Sequence, residues 1–272
     1  MRIPEPVLVA GKVVPPAPVR RRPGVPAVTA EELAAIAARA WPATEARPLG
    51  GWTLRAAGGF TRRANSVLVA GEPGMPVAEA LASVVRWYAA RDLTPYLQVP
   101  DTSPWVPALD RYGWIREADT LIRTAPLPPL TSLASPGSLP GRGAEDVLLT
   151  RTPGPGWLAA YHRTGDLADA ALEVVSGGPS VWFATAPGAI GRAVVDGSWA
   201  LFGAMEVEPA MRRQGRATAV LGALARRAYD EGATAAYLQV EAANTGALAL
   251  YDRLGFVGHH GYHYRRPPRP VA

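Results

Sequence analysis

"EPAMRRQGRATAVLGALARRA", from Glu208 to Ala228, joins two kinds of sequence. Leading into it, "WALFGAMEVEP" (Trp199 to Pro209) is an apolar strand ended by proline. Within it, Val220, Leu221, Leu224, Ala225 and Ala228 recur at helical spacing, and Gly232 stops the run. Between strand and helix lies Arg212-Arg213-Gln214-Gly215-Arg216-Ala217. A helix start exposes unpaired amides and the positive end of the dipole, so a phosphate can sit there if the backbone approaches it closely. Gly215 permits that approach, the arginines add charge, and the small Ala217 lets the first turn lie against the strand. Strand, arginine loop and helix together predict an α/β unit whose helix mouth is either an anion site or a solvated, arginine-rich helix start.

The rest of the composition sets bounds. A chain of 272 residues, 48% hydrophobic and 19% charged, reads as globular, with room for one large domain or two small ones. No run approaches the roughly 20 apolar residues of a membrane helix. Prolines interrupt the apolar part of "MRIPEPVLVAGKVVPPAPVRRRPG", which makes it a poor signal peptide, so a cytoplasmic protein without a membrane partner is the expectation. The absence of cysteine removes disulfides, thiolate nucleophiles and cysteine-ligated zinc. A net charge of +5 suits an anionic ligand or nucleic acid. Lys12 is the only lysine, however, and arginine beside frequent alanine reads as genomic base composition. Without an interleaved basic and aromatic stripe, nucleic acid is not the expected partner.

Self-similarity organises the chain. "RWYAARDLTPYLQV" from Arg86 and "RAYDEGATAAYLQV" from Arg227 align at an offset of 227 − 86 = 141, with Tyr88, Tyr96, Leu97, Gln98 and Val99 on Tyr229, Tyr237, Leu238, Gln239 and Val240. After one further insertion, "LDRYGW" (Leu109 to Trp114) lies on "YDRLGF" (Tyr251 to Phe256). Each copy reads as helix, buried "YLQV" strand, second helix ended by Gly113 or Gly255, and closing strand. "TAPLPPLTSLASPGSLPGRG" (124 to 143) has the composition of a linker. The expected organisation is an extension over 1–28, a first copy over 29–125, a linker over 126–144 and a second copy over 145–272.

The order strand, "VEPAMRRQGRA", helix, "LQV", Asn244 and "LYDRLGF" resembles the GNAT acetyltransferase superfamily over roughly residues 145 to 265. The resemblance implies a mixed α/β (α+β) sheet and acetyl-CoA as co-substrate. It implies that Met205, Glu206 and Val207 pair with the pantetheine arm, and that Arg212, Arg213, Gln214, Gly215, Arg216 and Ala217 hold the pyrophosphate. The loop's counterpart in the first copy is Gly71-Glu72-Pro73-Gly74-Met75-Pro76. Glu72 reverses a charge there and the two prolines each remove an amide donor, so the first copy should not bind CoA. The implied architecture is a tandem of GNAT-like units with only the second intact, and "GWTLRAAGGFTRRANSVL" (Gly51 to Leu68) looks like the amino-terminal half of actinobacterial members.

Acetyl transfer needs a deprotonated amine, a polarised carbonyl and a proton for the leaving thiolate. Tyr251 matches the family's tyrosine for the last role, with simple packing as the alternative. The Val207 N–H, where the fold splays the strand, is the implied oxyanion donor. Glu206 and Glu208 share one strand face, and Glu206 is the candidate base, or merely the partner of a nearby arginine. Asn244 resembles the family asparagine that contacts the cofactor and also fits a plain N-cap. "GFTRRANS", with Arg62, Arg63 and Asn65, is the first-copy segment expected to face substrate. His259 and His263 share a face in an extended strand, but with no carboxylate cluster beside them a closing strand is preferred to a metal site. His162 is expected on the surface near the substrate side. The function expected is acetyl-CoA-dependent N-acetylation of a small-molecule or peptide amine by direct attack. The alternative is a non-catalytic acyl-CoA-binding or regulatory module.

Overall fold

Thr29 opens the first long helix with a reciprocal cap. Its Oγ1 accepts from the Glu32 amide (3.1 Å), and Glu32 Oε2 accepts from the Thr29 amide (2.7 Å). The computed structural model describes residues 8–9, 12–13, 24–134, 147–161 and 169–268. A short pair, β1 (Leu8–Val9) and β2 (Lys12–Val13), precedes this helix, α1 (Ala30–Ala40). The first copy continues through β3 (Glu45–Leu49), β4 (Trp52–Ala56), β5 (Val67–Leu68), α2 (Val77–Ala89), β6 (Leu97–Pro100), α3 (Val106–Arg111) and β7 (Ile115–Pro126). A single helical turn, α4 (Pro128–Thr131), follows. The second copy runs β8 (Leu148–Thr150), α5 (Pro155–Ala160), α6 (Asp169–Ser176), β9 (Ser180–Ala186), β10 (Ala189–Asp196), β11 (Trp199–Val207), α7 (Arg216–Asp230), β12 (Ala235–Glu241), α8 (Thr245–Arg253) and β13 (Val257–Arg266). The repeat therefore appears as α2, β6, α3, β7 and again as α7, β12, α8, β13. Gly113 and Gly255 follow α3 and α8 with φ of +70° and +84°, the left-handed turn that glycine adopts without a Cβ penalty.

The two copies share one sheet. Among the described residues, eleven strands follow the order β3-β4-β5-β6-β13-β7-β12-β11-β10-β9-β8, in which each copy's last strand has crossed to the other. β13 pairs with β6, Arg265 opposite Leu97; β7 pairs with β12, Arg123 opposite Leu238. The repeat maps one ladder onto the other, and β7 and β13 pair antiparallel at the centre.

The two arginines bolt the exchange. Arg123 of β7 donates to Asp252 and to the Phe256 carbonyl (2.9 Å) in the second copy. Arg265 of β13 lies 2.7 Å from Asp110 Oδ1 and donates to the Trp114 carbonyl (2.8 Å) in the first. The repeated Asp-Arg-x-Gly-aromatic motif is thus the seat for the opposite copy's arginine.

Over residues 126–134, the described part of the stretch expected as a linker over 126–144, the chain is packed structure. Pro126 ends β7 opposite Ala235, Leu127 and Leu130 are buried, and the chain stays helical to Ala134. Pro128 and Pro129 stand in the first turn of α4, where a missing N–H breaks no helical bond, so a proline-rich composition is compatible with packing. Residues 135–144 of that stretch lie outside the described residues.

Alternation along β11 and β12 splits the core between two faces. Phe202 and Leu238 pack with Val220, Leu221 and Leu224 of α7. Leu201 and Tyr237 pack on the other face with Trp157 and Tyr161, and with Trp41 and Phe60 from the first copy. Fully buried Arg192 ties that second layer together, donating to the Val175 (2.6 Å), Ala40 (3.0 Å) and Gly177 (2.6 Å) carbonyls. Burial pushes its guanidinium down to about 9, and the carbonyls at the ends of α1 and α6 satisfy it.

Candidate active site

β11 and β12 run parallel from Trp199 opposite Ala235 to Leu201 opposite Tyr237, and no pairing continues beyond. A bulge in the β10–β11 ladder, with Ala204 at φ +49°, lies on the unpaired length of β11. Past it, the Glu208 amide bonds the Gly188 carbonyl on the β10 side (2.9 Å). Amides alternate along a strand, so the Val207 N–H faces the opposite side, into the gap.

Side chains divide in the same way. Met205 and Val207 pack on the α7 face. A Cβ at Gly191 would fall 2.6 Å from Met205 Sδ and 2.7 Å from Val220 Cγ1, so a bare backbone there seats the helix against the sheet. Glu206 pairs with Ile190 and shares its face, that of Trp157, Tyr161 and Tyr237.

The arginine loop closes one end of the gap. After a 3₁₀ turn (Pro209–Met211), Arg212, Arg213 and Gln214 are exposed, and Arg213 and Gly215 take φ of +63° and +76°. Arg212 Nε donates to the Val207 carbonyl (3.3 Å) and Gln214 Nε2 to Ala210 (3.1 Å). Gly215 is the N-cap of α7, without a side-chain capping bond. Arg216 and Ala217 form the first half-buried turn. Asn244 is exposed and caps α8, its Oδ1 accepting from the Ala247 amide (3.0 Å). Tyr251 is 8% exposed and sits edge-on to Phe256 at 5.7 Å, in the cluster that Met205 and Val207 join.

The matching loop of the first copy is filled by its own chain. Gly51 N donates to the Glu72 carbonyl (2.6 Å), and the Trp52 and Trp105 indoles donate to the Gly71 carbonyl (3.3 and 2.8 Å). A Cβ on Gly50 would stand 2.3 Å from the Pro73 carbonyl carbon, which only glycine avoids.

A family model described as "Probable histone acetyltransferase Rv0428c C-terminal" matches residues 29–265. The chain belongs to that family. A relative from Mycobacterium tuberculosis (strain ATCC 25618 / H37Rv), named "Probable histone acetyltransferase Rv0428c", is 33% identical over 267 residues, covering 94% of this chain and 78% of the relative. Among solved structures, a GCN5-related N-acetyltransferase from Kribbella flavida matches with TM-score 0.60 at 19% identity, over 88% of this chain and 96% of that one. A tandem GNAT protein from the clavulanic acid biosynthesis pathway matches with TM-score 0.51 at 16% identity, over 74% of each chain. The fold is that of the GNAT superfamily, in tandem.

Elsewhere in this Rv0428c-family chain, the first-copy segment expected to face substrate is partly committed to structure. Asn65 is 4% exposed, with Oδ1 accepting from the Ala57 (2.7 Å) and Gly59 (2.9 Å) amides and Nδ2 donating to Thr61 O (2.8 Å). Its amide staples the loop, with both Oδ1 acceptor positions and one of the two Nδ2 hydrogens committed to backbone. Arg62 lies over the Tyr96 and Tyr264 rings (4.9 and 5.2 Å), 3.9 Å from Glu117, and Arg63 lies over Trp41 (5.6 Å).

The histidines also separate. His259 Nδ1 meets His260 Nδ1 (2.7 Å), and its Nε2 bonds the Val28 carbonyl. Buried His263 accepts from Arg265 Nε at Nε2 (3.0 Å), which leaves Nδ1 to donate to Asp101 (2.8 Å). Half-burial pushes the Asp101 carboxyl up, but His263 and Arg116 outweigh it and hold it below the ordinary carboxylate range. His162 lies outside the described residues.

Sequence reasoning missed the aromatic layer on the Glu206 face, because its members are drawn from both copies. A signal existed in "AWP" and "GWLAAY", single large aromatics in alanine-rich helical context.

Proposed function

We propose that this chain transfers the acetyl group of acetyl-CoA to a primary amine. The observation that carries the reading is the gap between β11 and β12, with the uncapped, arginine-flanked start of α7 at its end. The amides of that first turn, with Arg212, Arg213 and Arg216, suit a pyrophosphate, and the exposed edge of β11 suits the amides of a pantetheine arm.

In this reading the acceptor enters from the Glu206 face. Glu206 takes a proton from the incoming ammonium, directly or through water, so that the free amine attacks the carbonyl carbon. The Val207 N–H donates to the oxygen that gains charge. The C–S bond breaks as the carbonyl re-forms, the thiolate takes its proton from the Tyr251 hydroxyl, and the proton that the new amide nitrogen sheds returns through water to the tyrosinate. Asn244 fixes the start of α8 and so the placement of Tyr251.

The acceptor class is a small-molecule or peptide amine. The name of the Mycobacterium tuberculosis relative favours a polypeptide.

Calorimetry with acetyl-CoA tests the binding step. One molecule should bind per chain, and an Arg213→Glu, Gly215→Glu double variant should lose it. Turnover against lysine-rich peptides and small amines tests the chemistry, with Tyr251→Phe expected to lower kcat while acetyl-CoA binding persists. Cofactor binding without turnover on any amine would leave the chain a binding module.

A further inference from the structure

At the C-terminal end of α7 the second copy closes on a carboxylate. Glu231, the C-cap residue, accepts from Ser180 Oγ (2.6 Å), Trp182 Nε1 (2.7 Å) and Arg227 Nη2 (2.9 Å). The guanidiniums of Arg227 and Arg151 lie over the Trp182 ring at 4.3 and 4.4 Å. One anionic group therefore satisfies three donors and joins helix to sheet.

The repeat sets Arg86 on Arg227 and Ala90 on Glu231 (86 + 141 and 90 + 141), and Ala90 is likewise the C-cap of its helix, α2. The first copy has kept the arginine and lost the acid. Arg86 donates only to Ser83 Oγ (2.9 Å), and neither it nor Arg47 has an acidic partner among the described residues. Glu45 of β3 is committed to Arg91, whose guanidinium stacks on Trp87 at 3.7 Å. In place of the closed knot there is a half-open cleft of 510 Å³ between α2 and the β3–β4 hairpin, within the range of small-molecule sites. Arg47 and Arg86 line it together with apolar Leu49, Leu54 and Met75, and Met75 leaves 38% of its surface exposed.

We propose that this cleft binds a small amphipathic carboxylate. The ligand's carboxylate takes the role that Glu231 plays in the second copy, paired with Arg86 and Arg47, and its short apolar body lies along Leu49, Leu54 and Met75. The assignment is independent of the acetyltransferase reading, because the cleft lies along α2 in the copy whose loop is filled by its own chain.

The test is calorimetry of the full chain with hexanoate, 1-hexanol and inorganic phosphate. Hexanoate should bind at least tenfold more tightly than either comparison probe, since one lacks the charge and the other the apolar body. Ala90→Glu restores the missing acid and should weaken hexanoate at least tenfold without lowering Tm, because Ala90 is exposed. Arg86→Gln should weaken it by removing the partner instead. Equal binding of phosphate and hexanoate, no hexanoate binding by the wild type, or unchanged hexanoate binding in both variants would each overturn the proposal.

Discussion

Replacing Arg265 by methionine tests whether the exchanged strands are held by their bolts. The side chain is 6% exposed and supplies donors to two buried acceptors, Trp114 O and His263 Nε2. Methionine keeps much of the volume but leaves both acceptors unpaired, at about 1–3 kcal/mol each. The third partner, Asp110, is 56% exposed and regains water when the arginine is lost, so its pairing adds little. The expected destabilisation is about 2–6 kcal/mol, a large share of the roughly 5–15 kcal/mol by which folded domains exceed their unfolded states. At about 2–4 °C per kcal/mol, Tm should fall by roughly 10 °C.

Urea and thermal unfolding, followed by circular dichroism and tryptophan fluorescence, measure it. Asp110→Asn is the control, with a loss below about 1 kcal/mol. The fall should appear in a single transition, because Arg265 belongs to the second copy while Asp110 and Trp114 belong to the first. A loss under about 1 kcal/mol, or two transitions of which only one moves, would refute the reasoning.

Three other outcomes follow from the same geometry. Burial, with the charge of His259 beside it, pushes His260 down to about 4. A folded value below the unfolded one of about 6.5 means the neutral ring's stability is complete above pH 6.5 and is lost as pH falls toward 4, with about 2 kcal/mol gone between pH 7 and 5. His260→Gln should flatten that limb, and an unchanged acid limb would show that the loss arises elsewhere. Gly191→Val should cost about 1–3 kcal/mol and displace Met205, because even a Cβ meets Met205, Val220 and Leu224; an unaltered Tm and unaltered acetyl-CoA binding would contradict that seat. Residues 145–272 expressed alone should fail to give a sharp melting transition, since β12 loses its β7 partner and β13 loses both neighbours; a cooperative, monomeric fragment would refute the interlock.

Much of the fold was legible because repetition wrote it twice. The Arg86 and Arg227 alignments located α2, β6, α7 and β12, and the glycines after "DRY" and "DRL" marked the helix ends. The exchange of β7 and β13 was not legible. A ladder between distant strands leaves no local period, and the arginines that secure it sit in "LIRTAP" and "HYRRPP", where each reads as one more basic residue. The packing of 127–134 is hidden for a related reason, because Leu127 and Leu130 are apolar marks too few to outweigh neighbouring prolines until α7 is seen against them. At the site, the arginine loop could be read from local helix-start chemistry. Asn65 could not be read in the same way, since an asparagine that staples a loop and one that meets a ligand look alike in sequence.

The interlock also bears on why the gap between β11 and β12 exists. Two parallel strands with unpaired facing amides gain hydrogen bonds by closing together, and a gap persists only if each strand is held from its outer side. β11 is held by β10 through the bulged ladder up to Val207 opposite Ala189. β12 is held by β7 along its whole length, from Ala235 opposite Pro126 to Glu241 opposite Thr120. That second restraint comes from the first copy. The unit whose own loop is filled by Gly51, Trp52 and Trp105 therefore supplies the strand that keeps its partner's gap open, as well as the Trp41 and Phe60 wall of the layer on the Glu206 face. A first-copy loop filled by its own chain and a second-copy gap that depends on the first copy are then consistent. What was retained in the first copy is the edge of its sheet and the aromatic face beside it.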